Sequence, residues 1–280
     1  MKLIRFGKQG EEKPGILLSN DEKIDVSSFV SDYDEKFFES GGLVNLKDWL
    51  NENESSAPRL DDSIRLGSPI ARPSKIICIG LNFKDHAAES GFDAPEEPLI
   101  FGKATSAICG PYDNIIIPRG SEQTDWEVEL GVVIGKKTSY VDQDQALDHV
   151  GGYVLHNDVS ERAFQKDRGG QWIKGKSADT FAPMGPFMAT PDEIDNISDM
   201  RMWLNVNGEN MQDGNTSNLI FSVDHVVSYL SQFMTLLPGD VISTGTPAGV
   251  GMGMNPEKYL KPGDVVELGI DGLGSSKQNV

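Results

Sequence analysis

Along most of the chain, apolar and polar positions either alternate or gather in short runs, and few stretches carry the three-and-four spacing of a helix. Strand-type patterns cover residues 2–6, 15–18, 75–81, 126–134, 152–155, 201–206, 240–243 and 264–270. The stretch Ile76-Ile77-Cys78-Ile79 is apolar throughout, as a strand buried on both faces would be. Helical patterns are confined to residues 84–90, 159–166 and 222–233, the last opening on Ser222 as a candidate N-cap. Strands dominate. The pattern predicts an α+β, mainly β chain, with a small N-terminal α/β domain over residues 1–70 and a rolled or barrel-like β domain with peripheral helices over residues 71–280. The change falls at Arg72-Pro73-Ser74, which punctuates the chain just before the first fully apolar strand.

Charge narrows the function. The 280 residues hold 25 Lys and Arg against 43 Asp and Glu, a formal charge of -18 that repels nucleic acid and anionic membrane surfaces. A negatively charged substrate then needs a local cation, either a metal ion or clustered Arg and Lys. Two cysteines, Cys78 and Cys109, form no C-x-x-C pair and indicate no disulfide framework. The leading residues lack the apolar run of a signal peptide, and no stretch reaches the length of a membrane span, so a cytoplasmic location is expected.

In Trp126-Glu127-Val128-Glu129-Leu130, residues two apart share a face, so both carboxylates project from one side of the strand. Taken alone, such a pair reads as a solvent-facing edge. The run Val132-Val133-Ile134 that follows does not alternate, which points to burial on both faces, where neighbouring carboxylates must be neutralised or hold a cation. Asp158 stands where a strand pattern gives way to a helix pattern. It is either a helix cap or a third oxygen ligand, completing a set suited to Mg2+, Mn2+ or Ca2+ rather than Zn2+. A glycosidase pair is excluded, since those carboxylates flank a bond from opposite sides.

Asn82 is a candidate cap for a helix on which His86 and Glu89 are i, i+3 neighbours, the arrangement of a water-activating base oriented by an acid or simply of a surface ion pair. Arg162 and Gln165 share a helical face one turn after Asp158, and Lys176 lies in a glycine-flanked loop with Trp172. Arg162 and Lys176 are the candidate local cations, against the commoner fate of a solvated Lys or Arg. Residues 243–253 are glycine-rich but have neither Walker nor dinucleotide spacing, so nucleotide binding is discarded.

Together these segments resemble the fumarylacetoacetate hydrolase family. The resemblance runs from about Lys75 to Val280 and rests on Gly80-Leu81-Asn82-Phe83 with His86 and Glu89, Phe101-Gly102-Lys103, Trp126 to Leu130, Asn157-Asp158-Val159-Ser160 with Arg162, Lys176-Ser177 and Pro238-Gly239-Asp240. It implies a β-roll catalytic domain, usually homodimeric, with Mg2+ or Mn2+ held at Glu127, Glu129 and Asp158. It also implies a His86–Glu89 pair on a lid, Lys176 beside the reacting carbonyl, and substrate contacts at Arg162, Gln165 and Thr246. The reaction expected is hydrolysis of a carbon–carbon bond in a small 2,4-diketo acid, an acylpyruvate or a 2,4-diketo-3-deoxy sugar acid. Alternatives are ureidoglycolate lyase, oxaloacetate decarboxylase or keto-enol isomerase chemistry, and, outside enzymes, an acidic metal-binding module.

Overall fold

The computed structural model describes residues 1–89, 91 and 93–280. An eleven-stranded mixed sheet organises the fold, in the order Lys23–Asp25, Lys13–Leu17, Lys2–Phe6, Ala182–Ala189, Val150–Asn157, Val128–Ile134, Val241–Ser243, Ile76–Gly80 and Leu99–Lys103, with two short strands attached off this path. Its two end strands do not pair with each other among the described residues, so it is open rather than a closed barrel. A second, antiparallel sheet of four strands carries Glu209–Asn215, Arg201–Val206, Val265–Ile270 and Gly274–Asn279. The protein is mainly β, as the patterning predicts.

The strand Val128–Ile134 shows why the middle of the sheet is buried. All seven of its residues are inaccessible, and strands lie on both sides of it, so the missing alternation at Val132-Val133-Ile134 reports burial on two faces. Strands Lys2–Phe6 and Arg201–Val206 fall on the expected residues. Several elements were not foreseen, among them the strands Leu99–Lys103, Glu209–Asn215 and Gly274–Asn279, and two of them are instructive. Ala182–Ala189 lies inside the long sheet although Pro183 and Pro186 remove two ladder donors, and the helix Gly42–Asn53 buries Leu46 in the leading segment.

Several expectations are corrected. The helix expected from residue 159 begins at Arg162: Ser160–Glu161 first pairs with Thr124–Asp125, and the Glu161 side chain, not Asp158, accepts from the first turn at Ala163 N–H. Asn82 does not cap the helix Lys84–Glu89; its side chain ties Phe221 and Thr244 together instead. Residue 90 of the expected 84–90 helix lies outside the described residues. Lys176 is not in a loop but at the end of the short helix Ile173–Lys176. The leading segment joins the main sheet directly, with Lys2 opposite Ala189 and Leu3 opposite Met188, so a boundary at residues 70 and 71 is a proposal about folding units across continuous strand pairing. No described helix is long and apolar enough to cross a membrane.

Candidate functional site

The carboxylates meet because neighbouring strands end in register. His156 stands opposite Glu129 and Asn157 opposite Val128, and the chain leaving Asn157 returns through Asp158, whose N–H donates to the Glu127 carbonyl at 2.9 Å. This places Asp158 against the Glu127–Glu129 pair. One oxygen from each of the three lies within 4.8 Å of the others, and all three residues are buried.

Three cations surround them. Lys103 Nζ donates to Asp158 at 2.5 Å and to the Val159 carbonyl at 3.0 Å. Lys176 Nζ bridges Glu127 at 2.6 Å and Asp158 at 2.7 Å and lies 4.9 Å from the centre of the Phe101 ring. Arg162 spans Asp125 at 2.8 Å and Glu127 at 2.7 Å. Four buried carboxylates, counting Asp125, thus face three cations. Gly175 lets the Lys176 helix sit this close: a Cβ there would lie 2.4 Å from the Glu161 carbonyl and 2.6 Å from Gln165 Cβ.

The protonation pattern follows from who has a partner. Burial opposes the charge on Asp158, but Lys103 and Lys176 hold its carboxyl well below the usual range. Burial likewise opposes ionisation of Glu127, and Lys176 with Arg162 lowers it. Glu129 has no cation in contact among the described residues. Burial, then the charges of Asp158 and Glu127, push it well above the ordinary value, although Ser243 Oγ at 2.5 Å and Gly245 N–H at 3.0 Å donate to it. A carboxylate left short of positive charge beside two others is a donor set that a divalent cation satisfies. Bonds of about 2.0–2.6 Å to each oxygen also suit the observed spread, so the residues fit a hard divalent ion.

A cavity of about 510 Å³ opens onto this cluster. Glu127, Glu129, Arg162, Gln165, Lys176 and Thr246 line it, and so do His86 and Glu89. All the expected site residues except Asp158, which is wholly covered, therefore share one chamber. Its apolar wall is Leu99, Phe101 and Trp172, the last two rings 5.2 Å apart. His86 Nδ1 lies 3.4 Å from Glu89, whose carboxylate also accepts from Gly249 N–H at 3.0 and 3.2 Å. Gly249, at φ 102, admits no side chain: a Cβ would lie 1.9 Å from the Met211 carbonyl.

Three expected substrate contacts are already engaged. Arg162 also donates to Gln165 Oε1 at 3.1 Å, so much of its guanidinium is bound within the protein, while the Gln165 amide N–H groups have no acceptor among the described residues. The Thr246 hydroxyl donates to the Val128 carbonyl at 2.9 Å and accepts from Gln212 at 2.8 Å, leaving its main chain for any substrate. Sequence reasoning assigned no role to Lys103, Asp125, His156 or Ser243. Lys103 stands within the Phe101-Gly102-Lys103 motif, a signal that was available; the other three carry no local one.

A mainly β fold enclosing a buried all-carboxylate cluster, beside a cavity sized for a small organic molecule, defines a class of proteins suited to holding a hard cation next to its ligand. The comparisons narrow the class. The family profile described as fumarylacetoacetate (FAA) hydrolase C-terminal matches residues 75–280, and the chain belongs to that family. A provisionally named hydrolase of Burkholderia ambifaria is 51% identical over 280 residues, spanning 100% of this chain and 98% of its own. The maleylpyruvate hydrolase of Sphingobium sp. SYK-6, solved with manganese(II) and pyruvate, is 27% identical with a TM-score of 0.83, covering 100% of this chain and 98% of that one. The 5-carboxymethyl-2-hydroxymuconate delta-isomerase of Mycobacterium smegmatis is 32% identical with a TM-score of 0.78, with coverage of 100% and 98%.

Proposed function

We propose that this protein is a divalent-metal-dependent hydrolase that cleaves a carbon–carbon bond in a small 2,4-diketo acid, an acylpyruvate or a 2,4-diketo-3-deoxy sugar acid. The observation carrying the proposal is that His86 and Glu89 line the same cavity as Glu127, Glu129 and Lys176. A metal-buffering module has no use for that pair. Mg2+ or Mn2+ at Glu127, Glu129 and Asp158, with Ca2+ as a substitute, would supply Lewis-acid polarisation of the keto acid's oxygens. The similarity to a hydrolase solved with manganese and pyruvate supports both the ion and the 2-oxo acid end of the substrate.

His86, oriented by Glu89, takes a proton from water as the water oxygen attacks the carbonyl carbon distal to the carboxylate. Two of the Lys176 N–H bonds go to Glu127 and Asp158, which leaves the third for the oxyanion that forms, with the Gln165 amide beside it. The bond between the two carbonyl-bearing halves then breaks. The acyl half leaves as a carboxylic acid, and the pyruvate enolate takes its proton back from His86.

The assay incubates purified protein and Mn2+ with an acylpyruvate and measures pyruvate and acid, expected in equal amounts. His86→Ala should lower turnover about a hundredfold while Mn2+ affinity stays unchanged. Undiminished turnover in that variant sinks the assignment. Similarity to a delta-isomerase supports a second reading, keto-enol or double-bond isomerisation. Hydrolysis in 18O-labelled water puts one labelled oxygen in the acid product; isomerisation incorporates none at a cleaved bond. The proposal takes the protein as a cytoplasmic homodimer, and sedimentation at two concentrations checks the assembly.

A further inference from the structure

His156 lies wholly inside the protein, beside the carboxylate cluster, and no step above uses it. Its Nδ1 is 2.6 Å from Ser243 Oγ, and Ser243 Oγ is 2.5 Å from Glu129 Oε2. Its Nε2 is the one buried side-chain nitrogen or oxygen among the described residues that has no hydrogen-bond partner. An orphaned polar atom in a core calls for a reason, because an apolar residue would fill the same space without the desolvation cost.

The strand register supplies the geometry. Glu129 faces His156 across one ladder, and Gly131, two residues further along, faces Ser243 across the other. Side chains opposite each other or two apart share a face, so Glu129, His156 and Ser243 rise from the same side of the sheet. All three are borne by paired strands rather than loops, the more precise support for a site.

The hydrogen atoms have one consistent order. As a metal ligand Glu129 is a carboxylate and only accepts. Ser243 has a single proton and gives it to Glu129, so the contact from His156 must be an Nδ1–H donating to Ser243 Oγ, whatever the charge on the ring. Every bond in the chain then points toward Glu129. Together with Gly245 N–H at 3.0 Å, it fixes Oε2 and leaves Oε1 as the oxygen free to meet an ion.

We infer that Ser243 and His156 are positioning residues for a divalent cation: a hydrogen-bonded pair that orients Glu129, the one cluster carboxylate that has no cation of its own among the described residues. Lys103, Lys176 and Arg162 orient Asp158 and Glu127; for Glu129 this hydrogen-bonded pair does that work. The inference rests on the reading of the cluster as a metal site.

The test titrates the full-length protein with Mn2+, following binding by calorimetry and by the electron paramagnetic resonance spectrum, whose zero-field splitting reports ligand geometry. Metal-free thermal unfolding is measured alongside. Ser243→Ala should weaken Mn2+ binding by about 10- to 100-fold, the range for loss of a partner to a ligand, and broaden the spectrum. His156→Leu should weaken it by about tenfold, and His156→Asn, which restores an N–H near Nδ1, should recover most of that loss. The asparagine rescue separates positioning from packing, since both variants remove the ring. Wild-type affinity and spectrum in Ser243→Ala and His156→Leu would overturn the inference. So would equal losses in the leucine and asparagine variants. Failure of the wild-type chain to bind Mn2+ would bring down the metal reading and this inference with it, whereas tight wild-type binding lost in Glu129→Gln but not in Ser243→Ala would remove the inference alone.

Discussion

Replacing Lys103 by methionine keeps the length of the stem and deletes one buried charge. In the wild type the Lys103 and Asp158 side chains are both 0% exposed, and the ammonium lies 2.5 Å from the carboxylate and 3.0 Å from the Val159 carbonyl. Removing one member of a buried ion pair costs about 3–5 kcal/mol, because the other charge stays behind uncompensated. Lys176 still touches Asp158 at 2.7 Å, which favours the low end. At about 3 kcal/mol, and about 2–4 °C of midpoint per kcal/mol for a large domain, the metal-free variant should melt roughly 6–12 °C below wild type. A divalent cation beside Asp158 replaces the missing charge, so saturating Mn2+ should raise the melting temperature of Lys103→Met more than that of wild type. The pH profile carries the same signature. Asp158, held low by its lysines, contributes stability that is present above the ordinary carboxylate range and lost as pH falls through its lowered value. In the variant that loss should be smaller and complete at higher pH, because the folded value is held less low. Scanning calorimetry with and without Mn2+ decides it: melting within about 2 °C of wild type, with equal metal increments, would show that the pair is not coupled to the cluster.

Further outcomes follow from the same geometry. Glu129 is raised by burial and by Asp158 and Glu127, so the metal-free fold holds a proton that the unfolded chain releases; its stabilising effect is lost as pH rises through the raised value. Mn2+ affinity, and the thermal stabilisation it brings, should therefore grow as pH rises from the ordinary carboxylate range towards the raised value of Glu129, and a flat profile would refute the protonated carboxylate. Asp158→Asn should remove the single tight Mn2+ site, whereas titration finding several weak and equivalent sites would favour a surface cation buffer. Trp172 packs over Gly80, where a Cβ would lie 2.8 Å from the indole, and forms the apolar wall with Phe101. Trp172→Ala should raise KM about tenfold for acylpyruvates with larger apolar acyl groups and leave the smallest nearly unaffected; equal effects on both would refute a wall role.

Much of this protein can be read along the chain because its information is local. Alternation and its loss locate strands such as Arg201–Val206 and Val128–Ile134, and a two-residue period is enough to put Glu127 and Glu129 on one face. Local patterns fail where tertiary pairing overrides propensity. Ala182–Ala189 is a sheet strand despite its prolines, and the chain after Asp158 forms a strand bridge at Ser160 before it turns helical at Arg162. The site divides along the same line. Three carboxylates in a strand and at a strand end were visible as candidates, but alternation cannot distinguish a solvent edge from a buried cluster. That choice was made by cations arriving from far along the chain: Lys103 is 55 residues from Asp158, Lys176 is 49 from Glu127, and Arg162 is 35 from Glu127. Ser243 reaches Glu129 across 114 residues, and nothing in the spacing of either announces the other. The sequence by itself determined a mainly β chain and the residues able to hold a hard cation. The strand register determined which of them meet, because a charge can remain buried only where folding brings its partner within hydrogen-bond reach.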